Sequence, residues 1–196
     1  MNKDDIVKNE ILENAERLFQ KWGYNKTTVE DIAKASGKGK SSLYYYYKDK
    51  EEIFTEVVNR EASAVFAVIR ERLKGCRTAE EKLMVYIETY ISEIDKASNL
   101  YAILCKEMSG DVKLLMKLAN KFDAIQADYL GTILEEGMKS GEFSFPPDID
   151  MKVAAYIIIN TIGTIQLDQI FSGKPGKYPV GRVMGRFLLN GVKTRK

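Results

Sequence analysis

The side chains best suited to contact another molecule lie together between residues 25 and 50. Residues 34–50 hold five lysines and one acid, Asp49, which gives this stretch a net charge of +4 while the rest of the chain carries −2. Small hydroxyls and four consecutive tyrosines, Tyr44–Tyr47, stand beside these lysines. Ammonium groups pair with phosphates, and hydroxyl and phenol groups hydrogen-bond to phosphates or to base edges. This stretch therefore predicts a surface that contacts nucleic acid.

Two short helices are predicted to position these side chains. Thr28, with Asp31 three residues later, resembles a capping box and opens a helix that ends near Gly37. A second short helix follows, roughly from Lys40 to Tyr47. Two short helices joined by a tight turn form the helix-turn-helix pattern, whose second helix lies in the major groove of DNA. A lysine-rich turn alone is usually only solvated, but its combination with capped helices and tyrosines favours DNA binding.

The remainder of the chain predicts an all-α protein of about nine helices. All four prolines of the 196-residue chain lie beyond residue 145, and apolar residues recur at helical spacing throughout. Further helices are expected to begin near Asp49 and Thr78, to cover Asn99–Met108, and to run from there to Gly137–Gly141. The last two are expected over residues 150–171 and after residue 179.

Residues 27–53 read TTVEDIAKASGKGKSSLYYYYKDKEEI, and this stretch resembles the DNA-binding signature of the TetR family of transcriptional repressors. The resemblance runs without gaps over roughly residues 6–55, and a weaker one covers residues 135–143, EEGMKSGEF. It implies a homodimer that binds a pseudo-palindromic double-stranded DNA operator and releases it when an unidentified small-molecule effector binds. The expected domains are then residues 1–48, for DNA binding, and residues 49–196, a helical domain for ligand binding and dimerisation.

The resemblance also implies roles for single residues. Thr28, Tyr44 and Lys50 match phosphate contacts of the family, with Thr28 also capping its helix. Tyr45 and Tyr46 occupy positions that face the groove and are candidates for base contacts. The full set of expected DNA-binding residues is Thr27, Thr28, Lys38, Gly39, Lys40, Ser41, Ser42, Tyr44, Tyr45, Tyr46, Lys48 and Lys50.

Two residues depart from the family pattern, and two others match its packing positions. Lys38 replaces the usual small apolar residue of the turn, which adds a cation that can contact a phosphate. Gly39 stands where a Ser or Thr usually caps the second helix, so no cap hydroxyl is available there. Glycine is an acceptable cap and costs only a few tenths of a kcal/mol relative to serine. Leu43 and Tyr47 match the residues that pack inward.

The strongly apolar segment 150–171 predicts a helix that is buried on more than one side. We expect it to contact its own domain and a second copy of the chain, together with the final helix, whose Gly181 and Gly185 permit close approach. A central core helix of a monomer is the alternative. The expected interface residues are Ile158, Ile162, Ile165, Val183, Phe187 and Leu188.

Aromatic, methionine and amide side chains interrupt the apolar faces of the middle helices. Such a mixture is typical of a small-molecule pocket, and equally of a core whose tyrosine hydroxyls reach solvent. Asn160 and Gln166 are singled out because a buried amide needs a hydrogen-bond partner. The candidate pocket residues are Phe66, Tyr86, Tyr90, Met108, Phe122, Tyr129, Asn160 and Gln166.

The chain contains no histidine, which excludes an imidazole base, a Ser-His-Asp triad and a His-containing zinc site. Cys76 and Cys105 are too few for a thiolate metal cage, so we expect no metal and no cofactor. Both thiols are expected to be small buried groups, with redox sensing as the alternative. A carboxylate enzyme using Glu135 and Glu136 is the alternative from another class, and a constitutive DNA-binding protein without a ligand is the third hypothesis.

The sequence also carries an expectation about location. The first residues lack the basic start of a signal peptide. The longest uncharged stretch, Val153–Leu167, counts 15 residues, fewer than the ~18 that a membrane span needs. We therefore expect a cytoplasmic protein that is not an enzyme and has no membrane partner.

Overall fold

The part of the chain that the structure describes is built from eight α-helices, which confirms the predicted all-α class. The computed structural model describes residues 3–97, 112–172 and 180–192. The helix predicted over Asn99–Met108 lies outside these residues, as does Cys105. The helices are α1 (Lys3–Lys26), α2 (Val29–Ala35), α3 (Lys40–Tyr46), α4 (Lys50–Leu73), α5 (Ala79–Ala97), α6 (Val112–Ser140), α7 (Met151–Ser172) and α8 (Val180–Val192).

Helix α1 is interrupted at Gly23, close to its end. Gly23 has φ 83° and ψ 170°, outside helical geometry, and helical residues resume up to Lys26. A φ in this range is rarely adopted by residues with a β-carbon, which explains a glycine at this point. Gly23 is also buried, so its backbone lies against the neighbouring helices.

The described residues fall into two compact units. The first contains the chain up to Ala64 together with Ala97 and residues 112–115, and the second contains Val65–Lys96 and the residues from Met116 onward. The border lies inside α4, whereas the predicted border between residues 48 and 49 lies just before that helix. The assignment of DNA binding to residues 1–48 and of ligand binding to residues 49–196 therefore stays a prediction.

Apolar side chains from four helices form the core of the first unit. Phe19 of α1 meets Phe54 of α4 edge to face, with 5.0 Å between ring centroids, and Tyr24 meets the same ring at 4.8 Å. Such geometry is favourable for aromatic pairs. This core holds α2 and α3 against α1 and the start of α4. Its fully buried members include Ile11, Ala15, Phe19, Ile32, Leu43, Ile53, Phe54 and Val57.

The second unit has its own core, made by one face of each of its helices. Leu83, Tyr86 and Ile87 of α5 are fully buried, and Ala155 of α7 is buried as well. Further buried residues are Leu118, Leu130, Ile133 and Leu134 of α6, Ile159 and Ile162 of α7, and Leu189 of α8. Within the described residues, no helix is both long enough and apolar enough to cross a membrane.

Candidate nucleic-acid interface

A tight glycine turn joins α2 to α3 and sets their geometry. Gly37 has φ 63°, in the left-handed region that glycine adopts without strain. The backbone N–H of Lys38 donates to the carbonyl of Ala33 at 2.9 Å, which closes the end of α2. Gly39 then takes an extended conformation as the N-cap of α3 and makes no side-chain cap hydrogen bond. The predicted helix-turn-helix is thus present in the backbone.

Helix α3 has one buried face and one exposed face. Leu43 and Tyr47 are 0% and 5% exposed, which confirms that they pack inward. Tyr44 and Tyr45 point away from the core and are 46% and 76% exposed. Burial of most of the Tyr47 side chain raises the pKa of its phenol to about 12, so it stays neutral. The exposed face also carries Lys40, Ser41 and Ser42.

Thr28 forms the predicted capping box in full. Its hydroxyl accepts from the backbone N–H of Asp31 at 3.1 Å and donates to the Asp31 carboxylate at 2.6 Å. The carboxylate also accepts from the backbone N–H of Thr28 at 3.0 Å. These hydrogen bonds, with that of the Thr28 hydroxyl first, lower the pKa of Asp31. Thr28 is exposed and fixes the start of α2, and its phosphate contact stays a prediction.

Thr27 does not lie where a DNA contact needs it, and that expectation is wrong. Its side chain is 0% exposed. The hydroxyl donates to the carbonyl of Gly23 at 2.7 Å, which satisfies an acceptor left free where α1 leaves helical geometry. Thr27 is therefore a packing residue of the first unit, and its neighbour Thr28 takes the surface position.

Lys50 has a structural role that the sequence analysis missed. Its ammonium donates to the carbonyls of Tyr24 and Thr27, at 2.8 and 3.0 Å, and lies 4.3 Å from the centroid of the Tyr24 ring. These contacts join the end of α1 to the start of α4, and they satisfy two backbone acceptors. Lys48 differs, because in the described part of the chain its exposed ammonium pairs with no carboxylate.

Two other lysines of this region and one tyrosine contact carboxylates of α1 and α2. Lys38 lies 3.8 Å from Glu10, and Lys40 is ion-paired with Glu30. The Tyr46 hydroxyl donates to Asp4 at 3.3 Å, and this side chain is half-buried instead of fully presented to a groove. Lys38, Lys40 and Tyr46, which surround the exposed face of α3, thus already have ion-pair or hydrogen-bond partners within the chain.

In the second unit, tyrosines expected in a pocket meet an amide that the sequence analysis did not single out. Gln126 is 2% exposed, accepts from the Tyr86 hydroxyl at 3.4 Å and donates to the Tyr90 hydroxyl at 2.9 Å. Tyr129 stacks on Tyr86 with 6.1 Å between centroids and is 36% exposed. Burial raises the pKa of both Tyr86 and Tyr90, the latter to about 12. This polar and aromatic cluster is the best-defined part of the candidate pocket.

The other pocket candidates are placed less favourably. Phe66 and Phe122 are half-buried, while Asn160 is exposed and donates to the carbonyl of Tyr156 on its own helix at 2.8 Å. Asn160 is therefore not buried within its own chain, because it lies on the outer face of α7. Met108 and the side chain of Gln166 lie outside the described residues.

Helices α7 and α8 carry exposed apolar side chains, but not all of those expected. Val183 and Phe187 of α8 are 58% and 80% exposed, and Leu188 is half-buried. Ile158 and Ile162 are 7% and 1% exposed, so they belong to the core of their own chain and not to an exposed interface. The side chain of Ile165 lies outside the described residues.

The exposed face of α7 is formed by residues that were not among the expected interface residues. Its members recur at spacings of three and four, as the exposed face of a helix requires. Because α7 is apolar on nearly every side, the spacing of its residues does not identify which of them are exposed. They are Val153, Tyr156, Ile157, Asn160, Thr161 and Thr164.

Two side-chain groups considered for other chemistry are in ordinary surroundings. Glu136 pairs with Lys82 at 2.5 Å, and Glu135 lies 3.9 Å from Lys139, so the two carboxylates contact different partners. Cys76 is half-buried, and desolvation raises the pKa of its thiol, which keeps it protonated and poorly reactive.

Comparisons with known proteins cover both parts of the chain. Residues 11–57 match the model of the bacterial regulatory proteins of the tetR family, and residues 59–184 match the C-terminal region of YsiA-like proteins. The HTH-type transcriptional regulator QacR of Staphylococcus aureus is 32% identical to this chain, over 81% of the chain and 84% of QacR. The fatty acid metabolism regulator protein of Bacillus subtilis is 28% identical over 78% of each chain.

A solved structure is similar along nearly the whole chain. It is the transcriptional regulator FadR from Bacillus subtilis in complex with stearoyl-CoA. The TM-score is 0.74 at 25% identity, and the match covers 93% of this chain and 97% of that one.

Proposed function

We propose that this chain, which belongs to the TetR family of bacterial regulatory proteins, binds an operator as a homodimer and places α3 of each copy in the major groove. It is a DNA-binding transcriptional regulator. The observation that carries the proposal is the division of α3 into two faces, with Leu43 and Tyr47 buried and Tyr44 and Tyr45 exposed. A helix held by its inner face presents its outer side chains to a groove without rearrangement.

The contacts that we assign to α3 and its surroundings fall into two classes. Tyr45 is the most exposed of the four tyrosines and is proposed to reach base edges, together with Ser41 and Ser42. Lys38, Gly39, Lys40, Tyr44 and Lys48 are proposed to contact phosphates and to set the register of the helix. Thr28 contributes by fixing the start of α2.

Selection of bound DNA from a random pool tests this assignment. The wild-type protein is expected to recover a site with two related half-sites, about one helical turn apart, because a two-fold dimer places two copies of α3 at that spacing. Tyr45→Ala is expected to recover a site with a relaxed base preference, whereas Ser140→Ala, outside the interface, keeps the original site. Recovery of no preferred sequence by the wild type would contradict the proposal.

We further propose that a second copy of the chain covers the exposed faces of α7 and α8. Val153, Tyr156 and Ile157 on α7 and Val183 and Phe187 on α8 are large apolar side chains that are about half or more exposed. Several large apolar side chains exposed on neighbouring turns of a helix usually mark an interface. Two helices from each chain would make a four-helix bundle around a two-fold axis.

The effector is proposed to bind in the second unit, close to the cluster of Tyr86, Tyr90 and Gln126. Similarity to a fatty acid metabolism regulator, and to a structure that contains stearoyl-CoA, makes a long-chain acyl-CoA the first class of molecule to test. Added stearoyl-CoA is expected to release the protein from its selected site, and free coenzyme A is not. Release by neither compound, or by both equally, would contradict this ligand class while leaving DNA binding intact.

A further inference from the structure

Three donors around the exposed face of α3 each contact a carboxylate from another helix of the same unit. Lys38, before α3, lies 3.8 Å from Glu10 of α1. Lys40, the first residue of α3, is ion-paired with Glu30 of α2. A third contact with a carboxylate, a hydrogen bond, lies at the other end of α3.

Tyr46, the last residue of α3, donates its hydroxyl hydrogen to Asp4 of α1 at 3.3 Å. The acceptors of all three contacts lie at the surface, since Asp4, Glu10 and Glu30 are exposed. The recognition region therefore presents fewer unpaired cations than its lysine-rich sequence indicates, and three negative charges lie beside the proposed DNA surface.

The Lys40–Glu30 pair shows most directly what DNA would have to displace. Hydrogen bonding to Glu30 raises the pKa of Lys40, and hydrogen bonding to Lys40 lowers the pKa of Glu30, so both groups stay charged in the pair. An ammonium in contact with a carboxylate cannot take up a phosphate oxygen at the same place unless the carboxylate moves away. Exposed pairs of this kind are weak, so exchange for a phosphate is readily achieved, but it is not free.

We propose that Asp4, Glu10 and Glu30 compete with DNA phosphates for the donors around α3 and thereby lower the affinity of the protein for every duplex. The inference rests on the proposed DNA interface and adds an intramolecular counter-charge to it. Phosphate contacts carry no sequence information, so this competition reduces the sequence-independent part of binding. Tyr45 makes no direct contact with these carboxylates among the described residues, and its ring meets that of Tyr46, the donor to Asp4, with 4.9 Å between centroids.

Glu30→Gln tests the competition, with binding measured as the fluorescence anisotropy of a labelled random-sequence duplex over a range of salt concentrations. The affinity is expected to rise about two- to fivefold, which corresponds to the strength of an exposed ion pair. The combined change Asp4→Asn, Glu10→Gln and Glu30→Gln is expected to raise it roughly tenfold or more, because separate sites add. The gain is expected to shrink at high salt, where exposed charges are screened.

Two controls separate competition from a general change of charge. Glu71→Gln removes a carboxylate that pairs with Lys74 at 2.6 Å outside the α3 region, and is expected to leave the affinity unchanged. In a Lys40→Ala background, Glu30→Gln is expected to give a much smaller gain, because the contested donor is absent. Circular dichroism of each variant confirms that the fold is kept.

The outcomes distinguish this inference from the proposed function. If the wild type binds DNA and Glu30→Gln has unchanged or lower affinity, the competition is wrong and the interface stands. An equal gain with and without Lys40 would also overturn it, since Glu30 would then act by general repulsion. If neither the random duplex nor a selected site is bound by any variant, the proposed interface itself fails.

Discussion

Lys48 and Lys50 stand two residues apart, yet their ammonium groups lie in different surroundings. That of Lys50 is held by two backbone carbonyls and the face of Tyr24, where its charge-assisted hydrogen bonds join α1 to α4. That of Lys48 has no carboxylate partner among the described residues and is exposed. One lysine therefore contributes mainly to the fold, and the other is available for phosphate.

The pair gives a prediction at the scale of residues. Lys50→Met keeps the aliphatic stem but leaves two carbonyls without their donor, so we expect the free energy of unfolding to fall by about 1–3 kcal/mol. Lys48→Met is expected to leave stability unchanged and to weaken binding to all duplexes, with a salt slope smaller by about 1. Thermal denaturation and anisotropy at several salt concentrations measure both. Equal stability of the two variants would contradict the structural role of Lys50.

At the scale of elements, residues 135–143, here called the clasp, connect the end of α6 to α5 and α8. The ring of Phe143 folds back over Gly137, and the backbone N–H of Phe143 donates to the Gly137 carbonyl at 3.0 Å. The next residue, Ser144, donates its backbone N–H to the carbonyl of Val192 at the end of α8, at 2.8 Å.

Gly137→Ala tests the close approach inside the clasp. A β-carbon at this position would lie 2.0 Å from the Phe143 ring, so the ring must move. We expect the free energy of unfolding to fall by about 1–3 kcal/mol, as in other overpacked sites, despite the better helix propensity of alanine.

Gly131→Ala, on the same helix, is the matched control for this substitution. The nearest atoms to its added β-carbon are 3.7 Å away, an ordinary contact, so we expect unchanged or slightly higher stability. Denaturant unfolding of both variants measures the difference. A Gly137→Ala protein as stable as Gly131→Ala would show that the Phe143 ring does not need the glycine.

Glu142 links the clasp to the start of α5 and gives a pH-dependent prediction. Its carboxylate accepts from the backbone N–H of Glu80 at 3.0 Å and from the Ser140 hydroxyl at 2.9 Å. These bonds, with that of Glu80 first, lower the pKa of Glu142 below its ordinary value of 4.5. Because the folded-state pKa is lowered, the ionised group stabilises the fold above the unfolded-state pKa, and this contribution is lost as the pH falls through the folded-state pKa.

Glu142→Gln is therefore expected to be less stable than the wild type near neutral pH, and the difference is expected to shrink as the solution is acidified below about pH 4. The amide keeps the shape of the side chain and one acceptor but removes the charge. Urea unfolding of both proteins at a series of pH values provides the measurement. A difference that stays constant down to acid pH would contradict a role for the carboxylate charge.

At the scale of the whole molecule, α7 and α8 expose large apolar side chains beside polar ones. Phe187 is 80% exposed, although burial of a phenylalanine side chain is worth about 1.5–3 kcal/mol. The gain from covering several such residues at once favours association with a second copy. A regulator that reads two half-sites needs such a partner, because a single α3 reads only one.

Phe187→Asp is expected to convert the dimer into a monomer and to abolish binding to a two-half-site operator. Sedimentation velocity at micromolar concentration measures the assembly, and an operator selected with the wild type measures binding. Ile125→Asp replaces an apolar residue that is 46% exposed on α6, and is expected to keep the dimer. A wild-type protein that sediments as a monomer would contradict the interface.

The sequence by itself determined the class of fold and the location of the recognition helices. Thr28 with Asp31, the glycine turn and the alternation of Leu43 and Tyr47 with exposed tyrosines are local signals, so hydrogen bonds and side-chain spacing within a few residues suffice to interpret them. The sequence shows a family resemblance at the clasp residues, but it does not show their contacts with α5 and α8.

Tertiary structure alone decided which side chains of these elements are available. Thr27 and Thr28 are adjacent hydroxyls, and only the packing of α1 buries one of them. Lys50 is drawn to carbonyls of residues 24 and 27, a contact across more than twenty positions that no local pattern encodes. The residues of α7 are apolar on nearly every side, so their spacing does not show which face is buried. In the folded chain Ile158 and Ile162 are buried and Ile157 is exposed. Long-range packing determines which of these side chains are buried, and the periodicity of the sequence does not contain that information.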